Sequence, residues 1–154
     1  SLLAQKNAQA RGHAQVLWLD GIEQKYVEEV GAMNVFFNID GKLITPELGD
    51  SILPGVTRDS ILQLLRSWDI PTVERRLGID EVFKAHEEGR LVEAFGCGTA
   101  AVVSPIGRLE YQGRTIEIGG GKTGALTQRL YDTITGIQTG RLADPFGWVM
   151  EVDI

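Results

Sequence analysis

Apolar residues recur along the chain in two spacings, one typical of amphipathic helices and one of strands. The clearest helical stripe falls within residues 57–69, where the apolar positions are Ile61, Leu62, Leu64, Leu65 and Trp68. Other helices are predicted over residues 1–11, from Asp80 to His86, and from Thr123 or Thr127 to about Ile137.

Short apolar or alternating runs predict strands between these helices. They cover residues 16–19, 26–31, 33–38, 43–45, 72–77, 91–95 and 100–104, with a further hairpin within 108–118. Helices and strands alternate irregularly, and several links have the composition of hairpin turns. The predicted fold class is therefore α+β, with mixed or antiparallel strands and flanking helices.

Composition and charge exclude several classes of protein. The 154 residues suit one domain, and 43% hydrophobic residues can form a sizeable core. A net charge of −6 argues against a nucleic-acid partner, and no apolar run approaches the ~20 residues of a membrane span. The single cysteine, Cys97, cannot form an internal disulfide and fits a reducing compartment, so a cytoplasmic location is expected.

The segment Leu53–Arg58 is the first candidate binding site. A Pro-Gly turn leads directly into the predicted helix, where Thr57 and Asp59 are good capping residues. Helix N-termini present unpaired N–H groups and partial positive charge, which suits an anion such as phosphate. A plain helix start explains the same residues, and the local sequence leaves both interpretations open.

Two more segments qualify as candidates. Gly96-Cys97-Gly98-Thr99-Ala100 combines small residues that permit close approach to a ligand with a hydroxyl at Thr99, although a tight link between buried strands explains it too. Glu28 and Glu29 are adjacent in a predicted strand, so one of them should point inward and need a partner. A surface position is the simpler alternative for either glutamate.

Metal and nucleophile sites are not predicted. His13 and His86 are far apart, and no ligand cluster with metal-binding spacing accompanies them. Cys97 has no evident histidine partner and is expected to be a small, buried thiol.

Taken in order, these segments resemble the branched-chain amino acid aminotransferases. The resemblance rests on four segments: residues 29–34 (EVGAMN), 53–59 (LPGVTRD), 96–101 (GCGTAA) and 135–140 (TGIQTG) with Phe146-Gly147-Trp148. That family uses pyridoxal 5′-phosphate (PLP) and belongs to the fold-type IV group. The resemblance covers nearly the whole chain and implies the family's large C-terminal domain.

The resemblance also implies roles for individual residues. Glu29 matches the glutamate that pairs with the ring nitrogen, and Leu53 matches an apolar residue against the ring. The turn at Gly55 and the backbone of Val56 and Thr57 match the phosphate-binding helix start. Thr99 matches a second phosphate ligand. The backbone of Thr99 and Ala100 matches the donors that face the substrate carboxylate.

The chain departs from the family pattern in three respects. A threonine that contacts the cofactor region in some members is replaced by Ala32. A Cys-x-x-Cys pair found in some members is replaced by Ala101 and Ser104, so no thiol switch is expected. The catalytic lysine, which forms the Schiff base with PLP, matches a position upstream of Ser1, as does the small N-terminal domain.

We therefore expect residues 1–154 to be one truncated PLP-binding domain. The full-length parent is predicted to be a homo-oligomer that transfers the amino group of leucine, isoleucine or valine to 2-oxoglutarate. The chain alone is expected to be inactive, with no catalytic residue of its own. The alternatives are another fold-type IV enzyme, such as a D-amino acid aminotransferase or aminodeoxychorismate lyase, and a non-catalytic assembly fragment.

Overall fold

The chain folds around one five-stranded sheet, and the computed structural model describes residues 2–152. The helices are α1 (Leu2–Ala10), α2 (Val56–Ser67), α3 (Ile79–Glu87) and α4 (Ala125–Gln138). The strands are β1 (Leu17–Leu19), β2 (Val27–Val30), β3 (Asn34–Ile39), β4 (Lys42–Thr45), β5 (Thr72–Glu74), β6 (Leu91–Gly98), β7 (Val102–Pro105), β8 (Arg108–Tyr111) and β9 (Arg114–Glu117).

The central sheet has the strand order β5-β4-β3-β6-β7. Strands β4 and β5 pair in parallel, and the other neighbours are antiparallel. Strand β3 lies in the middle, and each of its six residues is buried, because both faces of the sheet are covered. Two small antiparallel ribbons, β1-β2 and β8-β9, complete the strands. The α+β prediction with mixed and antiparallel strands is confirmed.

Two apolar clusters occupy the two faces of this sheet. Helices α2 and α4 pack on one face, where Phe36 stacks on Phe95 with ring centroids 5.2 Å apart. Helix α3 and the β8-β9 ribbon pack on the other face, together with Phe37. Successive side chains of a strand point to opposite faces, which is why the pair Phe36-Phe37 serves both clusters.

Strands β5 and β7 form the two edges of the sheet, and both are short. Strand β7 ends at Pro105, which has no backbone N–H. Strand β5 ends at Glu74, three residues earlier than the alternating pattern through Leu77 predicts. Arg75 and Arg76 follow it directly.

The predicted helix starts are wrong at three places, although the helices themselves exist. Gly55, Gly78 and Gly124 hold the N-cap positions of α2, α3 and α4, so the N-cap residue itself supplies no side-chain hydrogen bond to these helices. The hydroxyls and carboxylates chosen from sequence fall inside or before the first turn. No helix within residues 2–152 has the length and apolar character to cross a membrane.

Candidate active site

Three of the four segments singled out from sequence meet at one end of the central sheet: residues 29–34, 53–59 and 96–101. Strand β3 begins there, and β4 and β6 end there, because β3 runs antiparallel to both. The loop that enters α2 follows β4, and the turn at residues 99–101 follows β6. The β2-β3 turn, which carries Ala32, reaches the same end.

Glu29 contacts the backbone of the turn before α2. Its Oε1 accepts a hydrogen bond of 3.1 Å from the N–H of Leu53. Glu28 contacts the same loop, where its Oε1 accepts a hydrogen bond of 2.7 Å from Ser51 Oγ. Both glutamates are half-buried, and each has a hydrogen-bond partner in the loop before α2.

The first turn of α2 has no side-chain cap among the residues that the structure describes. Its N-cap residue Gly55 is extended, with φ −66° and ψ 136°, and the predicted caps Thr57 and Asp59 lie within the helix. The first N–H groups of a helix lack partners inside it and carry partial positive charge. Within the described residues, this helix start therefore has N–H groups that could bind an anion.

Apolar side chains flank these donors on the outside of the protein. Leu53 is 70% exposed and Val56 is 78% exposed. These two side chains form a small apolar surface beside the N–H groups of the helix start.

The turn between β6 and β7 supplies the third segment. Thr99 and Ala100 are exposed on it, and the turn closes at Val102, whose φ is +59°. A β-branched residue in this left-handed region is strained, and such strain concentrates at functional sites.

Gly96 of β6 serves packing. A Cβ atom at Gly96 would lie 2.7 Å from Val30 Cγ1, so glycine lets the β2-β3 turn pack closely on β6. The strand continues to Gly98, and the link between β6 and β7 is shorter than the sequence suggested.

Arg58 and Asn34 are buried polar residues of these segments, and the sequence predicted no role for either of them. Arg58 is 3% exposed, and its Nη2 donates to the Pro46 carbonyl at 3.0 Å and to Glu74 Oε1 at 2.8 Å. These bonds tie the first turn of α2 to the loop after β4 and to β5. Arg58 occupies the helical stripe of Ile61, Leu62 and Leu65, and that spacing could have revealed its burial. Asn34 is the second such residue.

Cys97 is a buried thiol, as predicted. Burial raises the pKa of Cys97 to about 12, and the nearby positive charge of Arg58 only partly offsets this effect. The thiol is therefore neutral near pH 7 and a poor nucleophile. Residues 2–152 contain no group of three side chains suited to hold a metal ion.

Comparisons with known proteins agree with this architecture. Residues 1–109 match the family model described as amino-transferase class IV. The chain is 57% identical over 152 residues to branched-chain-amino-acid aminotransferase 2 of Bacillus subtilis, and 46% identical over 153 residues to the branched-chain-amino-acid aminotransferase of Mycobacterium tuberculosis. These alignments cover 99% and 97% of this chain but only 42% of each relative.

Solved structures give the same result. The branched-chain amino acid aminotransferase of Escherichia coli superposes with a TM-score of 0.82 at 32% identity, covering 99% of this chain and 46% of that one. The T.th. branched-chain amino acid aminotransferase, complexed with N-(5′-phosphopyridoxyl)-L-glutamate, superposes with a TM-score of 0.81 at 31% identity. The superposition covers 99% of this chain and 47% of that one.

Proposed function

The chain belongs to the class IV aminotransferases, and on that premise we propose that residues 1–154 are a PLP-binding domain of a branched-chain-amino-acid aminotransferase. The observation that carries the proposal is the junction at one end of the sheet. There the Glu29 carboxylate, the uncapped start of α2 and the β6-β7 turn come together.

The residues at this junction fit the cofactor. The backbone N–H groups of Val56 and Thr57 in the first turn of α2, with the Thr99 hydroxyl, would hold a phosphate. The exposed Leu53 side chain would pack against an aromatic ring, and Glu29 would keep a proton on the ring nitrogen. When bound, PLP supplies an electron sink for chemistry at the amino-acid Cα.

Substrate binding is assigned to the β6-β7 turn. Thr99 and Ala100 are exposed, and their backbone N–H groups would donate hydrogen bonds to the substrate carboxylate. We propose leucine, isoleucine and valine as amino donors and 2-oxoglutarate as acceptor, in a cytoplasmic homo-oligomer. The relatives are more than twice as long as this chain, so the activity is proposed for a longer protein that contains it.

The test is transamination by a longer protein that carries these residues. With PLP and 2-oxoglutarate, L-leucine, L-isoleucine and L-valine should each yield glutamate, and the 154-residue chain alone should yield none. Turnover of D-alanine without turnover of the L-amino acids would instead favour another fold-type IV enzyme. Absence of turnover with every branched-chain donor would refute the substrate assignment.

Glu29→Gln is expected to lower kcat by about 100-fold or more, because a neutral amide cannot hold the ring proton by charge. Glu28→Gln is the matched control, since Glu28 is adjacent but binds Ser51. Equal losses in the two variants would contradict the role of Glu29.

A further inference from the structure

Asn34 holds the turn before α2 from the side of the sheet. It is the first residue of β3 and is 6% exposed. Its Nδ2 donates a 2.9 Å hydrogen bond to the carbonyl oxygen of Leu53. The N–H of Leu53 is bound by Glu29, so both sides of this residue's backbone are held by side chains.

The other end of the Asn34 amide packs against the N-cap of α2. A Cβ atom at position 55 would overlap Asn34 Oδ1, well inside van der Waals contact. The N–H of Gly55 also donates to the Leu53 carbonyl at 2.8 Å. Glycine at position 55 and asparagine at position 34 therefore form one matched contact.

Asn34 also adjoins the third segment of the site. It pairs with Cys97 in the ladder between β3 and β6, and the β6-β7 turn begins just beyond Gly98. A single buried side chain thus lies between the segments that carry Glu29, Val56 and Thr99.

We infer that Asn34 is a positioning residue, which sets the direction of the first N–H groups of α2 by clamping the turn Leu53–Gly55. The inference rests on the proposed function, because it assigns those N–H groups to a phosphate. Asn34 itself acts only through Leu53 and Gly55. Without its donor, the Leu53 carbonyl loses one of its two partners and the turn gains freedom.

Asn38 provides a matched control on the same strand. It is 7% exposed, and its Oδ1 has no hydrogen-bond partner within the described part of the chain. It lies four residues from Asn34, beside Leu43 and Glu93 in the ladder and at a distance from the turn. Asn34→Ala and Asn38→Ala therefore remove the same buried amide in different places.

Two measurements on the 154-residue chain test the inference. Asn34→Ala should speed hydrogen exchange at the Leu53 and Gly55 amides and raise the Kd for pyridoxamine 5′-phosphate, each by about fivefold to tenfold. Asn38→Ala should leave both values near those of the parent chain. Equal effects of the two substitutions would show a merely structural role and overturn the inference.

A double-mutant cycle supplies an independent test. Gly55→Ala should speed the exchange of the Leu53 amide strongly in the parent chain and less strongly in the Asn34→Ala background, because the overlapping side chain is gone. An identical effect in both backgrounds would contradict the contact. Should the parent chain fail to bind pyridoxamine 5′-phosphate, the proposed cofactor site fails, and the exchange data alone decide the role of Asn34.

Discussion

Asp20 shows how one side chain organises a connection of this fold. Its carboxylate accepts hydrogen bonds from the backbone N–H groups of Tyr26, Lys25 and Glu23, at 2.8, 2.9 and 2.7 Å. These bonds hold the turn between β1 and β2, and β2 carries Glu29. They also hold the pKa of Asp20 far below its usual range, with Tyr26 the largest cause, because each N–H stabilises the ionised form.

This lowered pKa predicts a pH dependence for the free energy of unfolding. The stabilisation by ionised Asp20 is complete above the unfolded-state pKa of about 4 and is lost as the pH falls toward the lower folded-state pKa. Asp20→Asn should therefore be less stable than the parent chain at pH 7, and the difference should shrink progressively below about pH 4. Urea unfolding of both proteins between pH 2.5 and pH 7 measures this difference in the free energy of unfolding. All other carboxyl groups are the same in the two proteins. A difference that stays constant over this range would contradict the assignment.

At the scale of elements, the start of α4 is held by a carboxylate from the sheet. Glu93 of β6 is 5% exposed, and its Oε1 accepts hydrogen bonds from the N–H and Oγ1 of Thr127 at 2.6 and 2.7 Å. Negative charge at a helix N-terminus is favourable. Glu93 thus fastens α4 to the central sheet across 34 positions of sequence.

Glu93→Ala should lower the free energy of unfolding by about 2 kcal/mol or more, because it leaves buried donors without an acceptor. Glu93→Gln keeps one acceptor oxygen and should lower the free energy of unfolding by less than Glu93→Ala does. Chemical unfolding monitored by circular dichroism gives the comparison. Glu87→Ala is the control, since Glu87 is an exposed partner of Arg114 and surface ion pairs contribute little. Similar losses for Glu93→Ala and Glu87→Ala would refute the anchoring of α4.

The sequence predicted the helices and strands better than it predicted their ends. Apolar periodicity located α2 and β3, because burial imposes that periodicity directly. It missed the start of α4, because the capping oxygen comes from Glu93, and no local pattern encodes a partner so far away. The site followed the same rule. Motifs were enough to propose Leu53 and Thr99 as site residues, whereas the hydrogen bond from Asn34 to Leu53 depends on a contact between distant segments.

At the scale of the whole molecule, the two apolar clusters of the core are buried, whereas the end of the sheet with the candidate site exposes apolar side chains to solvent. Leu53 and Val56 are exposed there, one on each side of Gly55. Exposed apolar surface of this kind favours association. The chain in solution is therefore expected to self-associate through this end.

Leu53→Ser combined with Val56→Ser should reduce this association, because both apolar side chains are removed from the contact. Light scattering over a series of protein concentrations would show a lower mean mass than for the parent chain. Ile22→Ser is the control, since Ile22 is 95% exposed and belongs to the β1-β2 connection. A parent chain that stays monomeric at every concentration would contradict the expectation, as would an equal effect of Ile22→Ser.

The short edge strands of the sheet limit how far copies of the chain can pair strand to strand when they associate. Fibrils grow when an incoming strand finds a long row of free backbone groups. Strand β7 ends that row at Pro105, and β5 offers only three residues before Arg75 and Arg76, two long charged side chains that pair with Glu81 and Glu23. We therefore expect copies of this chain to associate through side chains, without pairing of their sheet edges into one continuous sheet.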